Sequence, residues 1–533
     1  MWCRPAMKTG KARPEGRNDL RCATPSLVPR FRANAGMTQL QELPPVPRTA
    51  LGSRAICFKP RRRYRIVVGL ATLALAGCTV GPKYVRPSVE EPTSYKAAAG
   101  WNLAQPSAAA PKGEWWKIYG DPELDALEQQ VTISDQTLKI AQERFLQARA
   151  AIGIAHARAF PSVTAGLAGS RTRQSQNRAL FGAAAPVEYS DVELPVDASY
   201  EPDVWGRVRR SVEAARSEAQ ASAADLASVD LSLHAELALD YFQLRGLDSQ
   251  AQLLNSTVVS YQKALELTQN RYQGGLSSEL DVAQAQTQLE TTRAEEVDVG
   301  VQRAAYEDAI AVLIGTPSAS FTLKPLPLTM GPPSVSAGLP SDLLERRPDI
   351  AASERRVEEA NAEIGVARAA YFPNLLLTGS GGFESTTITN LLSGPSGFWS
   401  LAGSAAELVF DGGTRRGINE QARSVYRQSV DQYRQTTLLA FQEVEDNLAA
   451  LRILENESEV ENAAVTAAQH ALDVSNTRYT GGVANYLEVT TAESVALNDE
   501  RAAVDIATRR MTASVLLIKA IGGGWDVGQI PQL

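Results

Sequence analysis

Two short motifs occur twice in this chain, far apart. Residues 152–155 are Ile-Gly-Ile-Ala and lead to a Phe-Pro pair, and residues 364–367 are Ile-Gly-Val-Ala and lead to a second Phe-Pro pair at an offset of 212 residues. An Arg-Tyr-x-Gly-Gly motif stands at 271–275 and again at 478–482, an offset of 207 residues. A repeat of this length is too long for a solenoid unit. It predicts that a whole structural half is duplicated and packs beside its copy.

Residues 1–77 are predicted to be a presequence that ends in a lipoprotein signal at about 60–77. An arginine-rich start at 61–65 precedes an apolar run that is too short to span a bilayer. The run ends at Leu-Ala-Gly-Cys, which resembles the lipobox of bacterial lipoproteins. The resemblance implies that Cys78 becomes the first mature residue and carries a diacylglyceryl thioether and an amide-linked acyl chain, and Thr79 implies sorting to the outer membrane. The alternative is an uncleaved helix that ends at this cysteine by chance.

The charge of the predicted mature chain argues against a nucleic-acid partner. Residues 78–533 carry 38 basic and 57 acidic side chains, whereas binding to a phosphate backbone needs a cationic face. Cys78 is the one cysteine of this segment, so we expect no internal disulfide. His156, His234 and His470 lie far apart in sequence, and we expect surface positions on helices rather than metal or catalytic sites.

The first half of the mature chain is predicted to be an extended segment followed by repeat 1. Proline, alanine and glycine at 78–120 indicate irregular structure that lies along a larger surface. Repeat 1 then comprises a helix capped by Asp121, a hairpin at about 161–203, a long helix at 206–273, a tip turn at 273–277 and a return helix, all within 121–314. The first helix has an apolar seam from Leu138 to Ala159 with spacings of three and four. The long helix would extend about 100 Å at 1.5 Å per residue.

Repeat 2 follows a proline-rich linker at 315–340 and is predicted to occupy 341–522. It comprises a helix at 342–371, a hairpin at about 373–410, a long helix at about 414–480, a tip turn at 480–484 and a return helix, before a C-terminal tail at 523–533. Four strands per chain cannot close a barrel, and their free edges require strands from other subunits. The predicted fold class is therefore mostly α, with duplicated helix–hairpin–helix-pair halves and a membrane β-barrel portion.

The chain resembles the outer-membrane factor family of tripartite efflux and type I secretion systems, which are TolC- and OprM-like proteins, and especially its lipoprotein, NodT-type branch. The resemblance covers 78–522. It rests on Cys78-Thr79-Val80-Gly81-Pro82-Lys83-Tyr84, on Trp115-Trp116, on Leu343-Leu344-Glu345-Arg346-Arg347-Pro348-Asp349-Ile350 and on both Tyr-x-Gly-Gly turns. It implies a homotrimer whose protomers each give four strands to a 12-stranded β-barrel in outer-membrane lipid, continued by a periplasmic α-helical barrel.

The function implied by this resemblance is a passive exit duct in the cell outer membrane, as in multidrug resistance. A periplasmic membrane-fusion adaptor and an inner-membrane pump of RND type, or of ABC or MFS type, would deliver substrate to the duct. The chain has no glycine cluster followed by Lys-Ser or Lys-Thr, so energy is expected to come from the pump. We expect no enzyme, because there is no Ser/His/Asp or Cys/His set, and no cofactor or metal apart from the covalent lipid on Cys78.

Two other functions remain open at this point. One is the outer-membrane channel of a type I protein secretion system, which would share the same fold. The other is a structural coiled-coil lipoprotein that tethers the envelope, which would explain the helices and the lipid anchor but not the paired strand hairpins. An envelope enzyme is a third class, without a recognisable set of reacting residues.

Candidate functional residues cluster at the two predicted tip turns. Gly274, Gly275, Gly481 and Gly482 would place the helix-hairpin ends where adaptor hairpins can meet them; alternatively, they only reverse the chain. Asp281 and Glu488 follow the turns at equivalent positions. By resemblance they would ring the closed periplasmic entrance, or else they are ordinary first-turn acids of a helix. Tyr479 matches a position that helps to close related channels.

Overall fold

The computed structural model describes residues 79–90, 92, 94–96, 113–177, 186–335 and 340–533. The predicted presequence at 1–77, its lipidated Cys78 and residues 336–339 of the predicted linker lie outside these residues.

Repeat 1 begins after a short 3₁₀ turn at Trp115–Tyr119. Its elements are α1 (Pro122–Ser134), α2 (Gln136–Ala157), β1 (Ser162–Ala165), β2 (Ala168–Arg173), β3 (Glu188–Tyr200), α3 (Arg207–Gln273) and α4 (Glu279–Leu313). Asp121 caps α1, since its side chain accepts hydrogen bonds from the backbone N–H groups of Glu123 and Leu124. The seam predicted on the first helix faces α3, with Ala141 buried and the other seam residues half-buried.

Repeat 2 has the same plan with closely matched lengths. Its elements are α5 (Leu343–Arg346), α6 (Pro348–Ala369), β4 (Asn374–Ser385), β5 (Gly397–Ala406), α7 (Thr414–Thr480) and α8 (Tyr486–Ala520). The long helices α3 and α7 each have 67 residues, and the return helices α4 and α8 each have 35. Among the described residues, no helix combines the length and apolarity needed to cross a membrane.

Two predicted helices are each broken in two. The helix that starts after Asp121 stops at Asp135, whose side chain accepts a hydrogen bond from the Leu138 N–H at 2.7 Å and so begins a new helix. The helix predicted over 342–371 is interrupted at Arg347, which adopts an extended conformation because Pro348 follows it. The Arg347 guanidinium is buried and binds Asp349, Glu443 and the Ala520 carbonyl.

The strands of both repeats form one antiparallel sheet rather than two separate hairpins. β3 of repeat 1 pairs with β4 of repeat 2, with Val196 opposite Gly381. β1 and β2 both pair with β3 in one continuous register, so they represent a single predicted strand. The break lies opposite Pro195, which accepts a hydrogen bond from the Gly166 N–H at 3.0 Å but has no N–H to return. β1 and β2 together occupy one position in the sheet, so the five strands fill four positions.

The two faces of the sheet differ in polarity. Residues that are opposite one another in the register share a face. One face is largely apolar and includes Val163, Leu167, Val192, Leu194, Val196, Leu377, Phe383, Trp399 and Leu401; the other includes Thr164, Asp191, Glu193, Asp197, Thr378, Ser380, Glu384 and Ser400. In the described residues, the β1–β2 line and β5 have a strand neighbour on one side only. Each therefore presents an unpaired edge.

One histidine does not occupy the surface position predicted for it. His234 lies on α3 and is 3% exposed, stacked against Trp116 at a ring-centroid distance of 4.4 Å. Its Nδ1 lies 2.6 Å from a carboxylate oxygen of the fully buried Glu128. A buried imidazole needs such a partner, so this pair belongs to the core between α1 and α3. His156 and His470 are exposed, as predicted.

The long helix α3 passes through Gly246 without interruption. A Cβ atom there would lie 2.3 Å from Thr508 Oγ1 and 2.8 Å from Thr508 Cγ2 on α8. The absence of a side chain therefore lets the long helix of repeat 1 approach the return helix of repeat 2 closely.

Replacing Gly246 with alanine is expected to destabilise the fold by about 1–3 kcal/mol, because the new methyl group overlaps Thr508. Gly300 on α4 is a matched control, since a Cβ there meets no atom within 4 Å. Gly300→Ala should be neutral or stabilise by up to about 1 kcal/mol through helix propensity. Thermal unfolding followed by circular dichroism checks both variants. Equal melting temperatures for the two would contradict the close approach, and Thr508→Ala should partly rescue Gly246→Ala.

Candidate functional site at the hairpin tips

Both Gly-Gly turns use the same backbone geometry. The first glycine of each pair, Gly274 or Gly481, ends a long helix with right-handed angles. The second glycine has a left-handed conformation, with φ of 73° at Gly275 and 74° at Gly482. The following N–H then bonds back to the carbonyl of the motif arginine, at 2.8 Å in the first turn and 2.9 Å in the second. This helix C-cap requires a residue that tolerates positive φ.

The return helices begin with side-chain caps at equivalent positions. Ser278 and Asp281 form a capping box, in which the Asp281 carboxylate accepts the Ser278 N–H at 2.9 Å. In the second hairpin, the Asn485 side chain accepts the Glu488 N–H at 3.2 Å. The Glu488 carboxylate is left to approach Arg478 at 3.6 Å. Asp281 and Glu488 therefore make these contacts within their own hairpins.

Tyr479 joins the two hairpins inside the protomer. It is 4% exposed, and its hydroxyl lies 3.3 Å from Thr268 Oγ1 on α3. Arg271, also on α3, donates to the Thr480 carbonyl at 3.1 Å, and its guanidinium lies 4.7 Å from the centre of the Tyr479 ring. Tyr486, at the start of α8, packs edge-to-face on the Tyr479 ring, with the two ring centres 5.3 Å apart. The described protomer thus uses Tyr479 as an internal bridge between α3 and α7.

Three features of the tips were missed in the sequence. Leu276 and Val483 directly follow the Gly-Gly pairs and are 72% and 75% exposed, so each tip ends in an apolar side chain. Aligning the two repeats would have revealed this matched pair. Arg271 was overlooked because its partner lies 209 residues away in sequence. Glu493 was overlooked because nothing local marks an acid in a helix as buried.

Glu493 is a buried acid on α8, two helical turns beyond Tyr486. It is 5% exposed, and one of its carboxylate oxygens has no hydrogen-bond partner. Burial raises the pKa of the Glu493 carboxyl to about 7. Burial and, secondarily, the Glu493 charge also raise the pKa of Tyr486. An acid in this setting changes its charge near neutral pH at the contact between the hairpins.

The start of the described chain lies at the opposite end of the long helices. The Val80 N–H donates to the Trp205 carbonyl at 3.1 Å. A Cβ atom on Gly206 would be 2.7 Å from Thr79 Cγ2, so Thr79 lies directly against this glycine. These residues connect β3 to α3, and the Trp205 indole also donates to the Pro373 carbonyl before β4 at 2.8 Å. Thr79 therefore sits at the junction between sheet and helices.

Comparison with known proteins agrees with this arrangement. Residues 125–316 and 339–523 match the sequence profile of a family described as outer membrane efflux protein. The chain belongs to this family. The two matched segments correspond to the two repeats, and the family predicted from the sequence is confirmed.

Several curated relatives are similar over nearly their whole length. Outer membrane protein OprJ of Pseudomonas aeruginosa is 31% identical over 465 residues, covering 86% of this chain and 96% of OprJ. The pyoverdine export outer membrane protein OpmQ of the same species is 32% identical and covers 86% of this chain and 96% of OpmQ. The toluene efflux pump outer membrane protein TtgC of Pseudomonas putida is 31% identical and covers 87% of this chain and 97% of TtgC.

Solved structures are similar in fold. The outer-membrane channel OprN has a TM-score of 0.78 and 27% identity, over 84% of this chain and 100% of OprN. The open state of the MtrE outer membrane channel of Neisseria gonorrhoeae has a TM-score of 0.74 and 29% identity, over 84% of this chain and 98% of MtrE. The chain is thus an outer-membrane efflux channel protein that extends into the periplasm, in a family of channel proteins, and the predicted fold class is confirmed.

The raised pKa of Glu493 predicts a pH-dependent stability at the tips. Its folded-state pKa of about 7 exceeds the ordinary value of 4.5, so ionisation disfavours the folded state. Stability is therefore lost as pH rises from about 4.5 to 7, by up to about 3 kcal/mol. Glu493→Gln, which stays uncharged, should match the wild type near pH 5 and be more stable at pH 8. Melting temperatures across this range measure the difference.

Glu279→Gln provides the control, because Glu279 is an exposed acid on the other return helix. It should follow the wild-type pH profile. If the melting temperature of Glu493→Gln also follows that of the wild type at every pH, ionisation of Glu493 does not destabilise the fold.

Proposed function

We propose that three copies of this chain form the passive exit duct of a tripartite efflux pump. The observation that carries the proposal is the sheet, which has an apolar face and a polar face and, within the described residues, one unpaired edge on each side. Such a sheet is stable in lipid only when its edges are paired, and pairing with equivalent sheets closes a barrel with a polar lumen. The number three comes from the family resemblance.

The helical hairpins would continue this duct through the periplasm and meet a membrane-fusion adaptor at their tips. Gly274 and Gly275, with Gly481 and Gly482, form tight ends from which Leu276 and Val483 protrude. Exposed apolar side chains at the tip of a helix pair suit packing against helical hairpins of a partner. Energy would come from an inner-membrane pump of RND type, or of ABC or MFS type, and the chain itself would carry out no catalysis.

Small organic molecules are the proposed cargo class. TtgC is described as part of a toluene efflux pump and OpmQ as a protein of pyoverdine export. These names favour small-molecule efflux over type I protein secretion for a chain of similar sequence along its whole length. A structural envelope tether would leave the paired strands and their two-faced sheet without a purpose.

Asp281 and Glu488 are proposed to line the periplasmic entrance of the trimer, with Tyr479 bracing the hairpins behind them. Both carboxylates lie in the first turn of a return helix, directly beside the tips. Each protomer would contribute two acids to the ring, which would favour cations in the pore. The capping box of Asp281 and the approach of Arg478 to Glu488 stabilise the same groups within the protomer, so the two roles coexist.

Planar-bilayer recording of the purified protein tests the duct and its acidic entrance together. The wild type should give discrete conductance steps with a preference for cations. Asp281→Asn with Glu488→Gln should reduce the preference for cations, because the negative charge at the constriction is removed while the helix caps keep polar side chains.

Glu290→Gln serves as a control, since Glu290 is exposed on α4 and paired with Arg293 three residues away. Its channels should be indistinguishable from wild type. Absence of any conductance step would refute the duct, whereas wild-type selectivity in the double variant would refute the acidic entrance alone.

The lipid on Cys78 is proposed to anchor the chain at the inner surface of the outer membrane. Thr79 lies against Gly206 and next to Trp205, where the sheet gives way to the helices. A barrel places this junction at the membrane boundary, so an acyl chain on the preceding residue would reach lipid without crossing the protein.

Cys78→Ala should abolish incorporation of radiolabelled palmitate and leave an uncleaved precursor, while Cys57→Ala should be labelled as wild type. The reason is that the thioether would form at Cys78 alone, so Cys78→Ala removes the attachment point of the lipid. Labelling in growing cells, followed by intact mass measurement, checks both variants. Palmitate retained by Cys78→Ala would show that the lipobox is not used.

A further inference from the structure

Unpaired positive charge is concentrated where the helices meet the sheet. Within the described residues, the arginines whose guanidinium groups make no hydrogen bond or ion pair all lie in segments that adjoin one end of the sheet. At 1.5 Å per residue, none is more than about 20 Å from that end along its helix. The predicted mature chain is acidic overall, so this concentration of cations is a local feature. Its members are Arg144, Arg149 and Arg158 along α2 and at its end, Arg216 on α3, Arg368 on α6, and Arg416 and Arg423 on α7.

Arg216 lines a cavity that borders the apolar face of the sheet. The cavity has a volume of about 720 Å³ and lies between the end of α2, the start of α3 and α6. Tyr200, the last residue of β3, lines it together with His156, Arg209 and Arg216. Tyr200 is opposite Leu377 in the register and therefore belongs to the apolar face. The cavity thus continues the apolar face beyond the end of the sheet.

The carboxylates that line this cavity are each bound to an arginine other than Arg216. Arg216 is exposed, and its guanidinium has no carboxylate partner among the described residues. One cation of the cavity therefore remains available for an anion from outside the protein. The occupied pairs are Asp203 with Arg209 at 3.2 Å, Glu213 with Arg210 at 2.8 Å and Glu358 with Arg355 at 2.7 Å.

The position of α3 argues against a neighbouring copy as the source of that anion. α3 packs against α2 and α6 of its own protomer, and the strand order places it between them. A second copy that extends the sheet would meet the layer at α2 or α7, beside the unpaired strand edges, and not at α3. The diacylglyceryl group predicted on Cys78 carries no phosphate, so it cannot pair with Arg216 either.

We infer that the cavity binds the phosphate headgroup of a phospholipid in the periplasmic leaflet of the outer membrane, with Arg216 as its principal ligand. A guanidinium binds phosphate oxygens through two parallel N–H groups. Tyr200 lies at the boundary between headgroup and acyl chains, where aromatic residues are enriched, and the acyl chains continue along the apolar face. Basic pockets beside membrane-spanning elements bind lipid headgroups in this way. The inference rests on the membrane barrel of the proposed function.

A headgroup bound at this level would hold the sheet at a fixed depth in the membrane. The unpaired arginines of α2, α6 and α7 lie at similar distances from the sheet and would add a general attraction to the same layer of phosphates. The cavity at Arg216 differs from them because it offers a cation and an apolar wall together. It is therefore the place where a whole lipid, rather than a phosphate alone, is expected to bind.

Lipid retention by the purified, detergent-solubilised protein tests this site. Native mass spectrometry counts the bound molecules of dioleoyl-phosphatidylglycerol, and dioleoylglycerol, which has the same chains but no phosphate, is the matched lipid. The wild type should retain the phospholipid at a concentration several-fold below that needed for dioleoylglycerol. Arg216→Gln should raise the required concentration several-fold, whereas Arg216→Lys, which keeps the charge, should lie between the two.

Arg293→Gln is the control, because Arg293 is an exposed arginine on α4, away from the sheet, and pairs with Glu290. It should retain the phospholipid as the wild type does. Equal retention of both lipids, or unchanged retention by Arg216→Gln, would overturn the inference. Inorganic phosphate at the same concentration should leave the phospholipid in place; if it displaces the phospholipid, the site takes free anions and the assignment to a lipid is wrong.

Planar-bilayer recording separates the headgroup site from the proposed duct. Because the cavity lies on the side of the apolar face, Arg216→Gln channels should keep the conductance and ion selectivity of the wild type. A shift of selectivity toward cations would place Arg216 in the pore and overturn the headgroup site. A protein that conducts no ions but retains the phospholipid through Arg216 would refute the duct and leave the headgroup site standing.

Discussion

The backbone pairing of β3 with β4 is the contact on which the rest of the structure depends, because the two strands belong to different repeats. It places both hairpins in one sheet, and α3 and α7 leave the same end of that sheet with α6 packed against both of them. The pairing is close enough that a Cβ on Gly382 would lie 2.1 Å from the Leu194 carbonyl oxygen. Since α3 and α7 have the same length of 67 residues, their tips reach the same level. The strand pairing in the sheet therefore sets the relative position of the two hairpin tips, which lie at the opposite end of the long helices.

Close helix packing transmits this alignment along the long helices. Gly246 lets α3 approach α8, and Gly365 on α6 leaves room for the aliphatic part of Arg210, since a Cβ there would be 2.8 Å from Arg210 Cγ. Buried charges then fix the middle of the structure. Arg347 ties the start of α6 to α7 through Glu443 and to the end of α8 through the Ala520 carbonyl. Because the Arg347 guanidinium is buried, losing these partners would leave a buried charge unpaired, which is strongly destabilising.

Sequence reasoning succeeded where the determinants are local. Long proline-free stretches gave α3 and α7, glycine pairs gave the tip turns, and apolar spacing identified the face of α2 that lies on α3. It failed where one residue outweighs a pattern, as at Asp135, whose side chain caps a new helix just before the apolar seam begins. It also failed for His234, whose partner Glu128 lies 106 residues away in sequence. Tyr272 and Tyr479 occupy the same motif, and only the packing of α3 against repeat 2 makes one exposed and the other buried.

The first described residues run back along the helices and are held by both halves at once. The Pro82 carbonyl accepts hydrogen bonds from Arg210 of repeat 1 at 3.1 Å and from Asn361 of repeat 2 at 3.2 Å. Gly81 lies so near Gly365 that a Cβ on it would be 2.6 Å from the Gly365 Cα. The site that holds Gly81 and Pro82 is not complete until the segment containing Gly365 has folded. Residues 79–82 are therefore synthesised before the segments that hold them, and they can take this position only after those segments have folded.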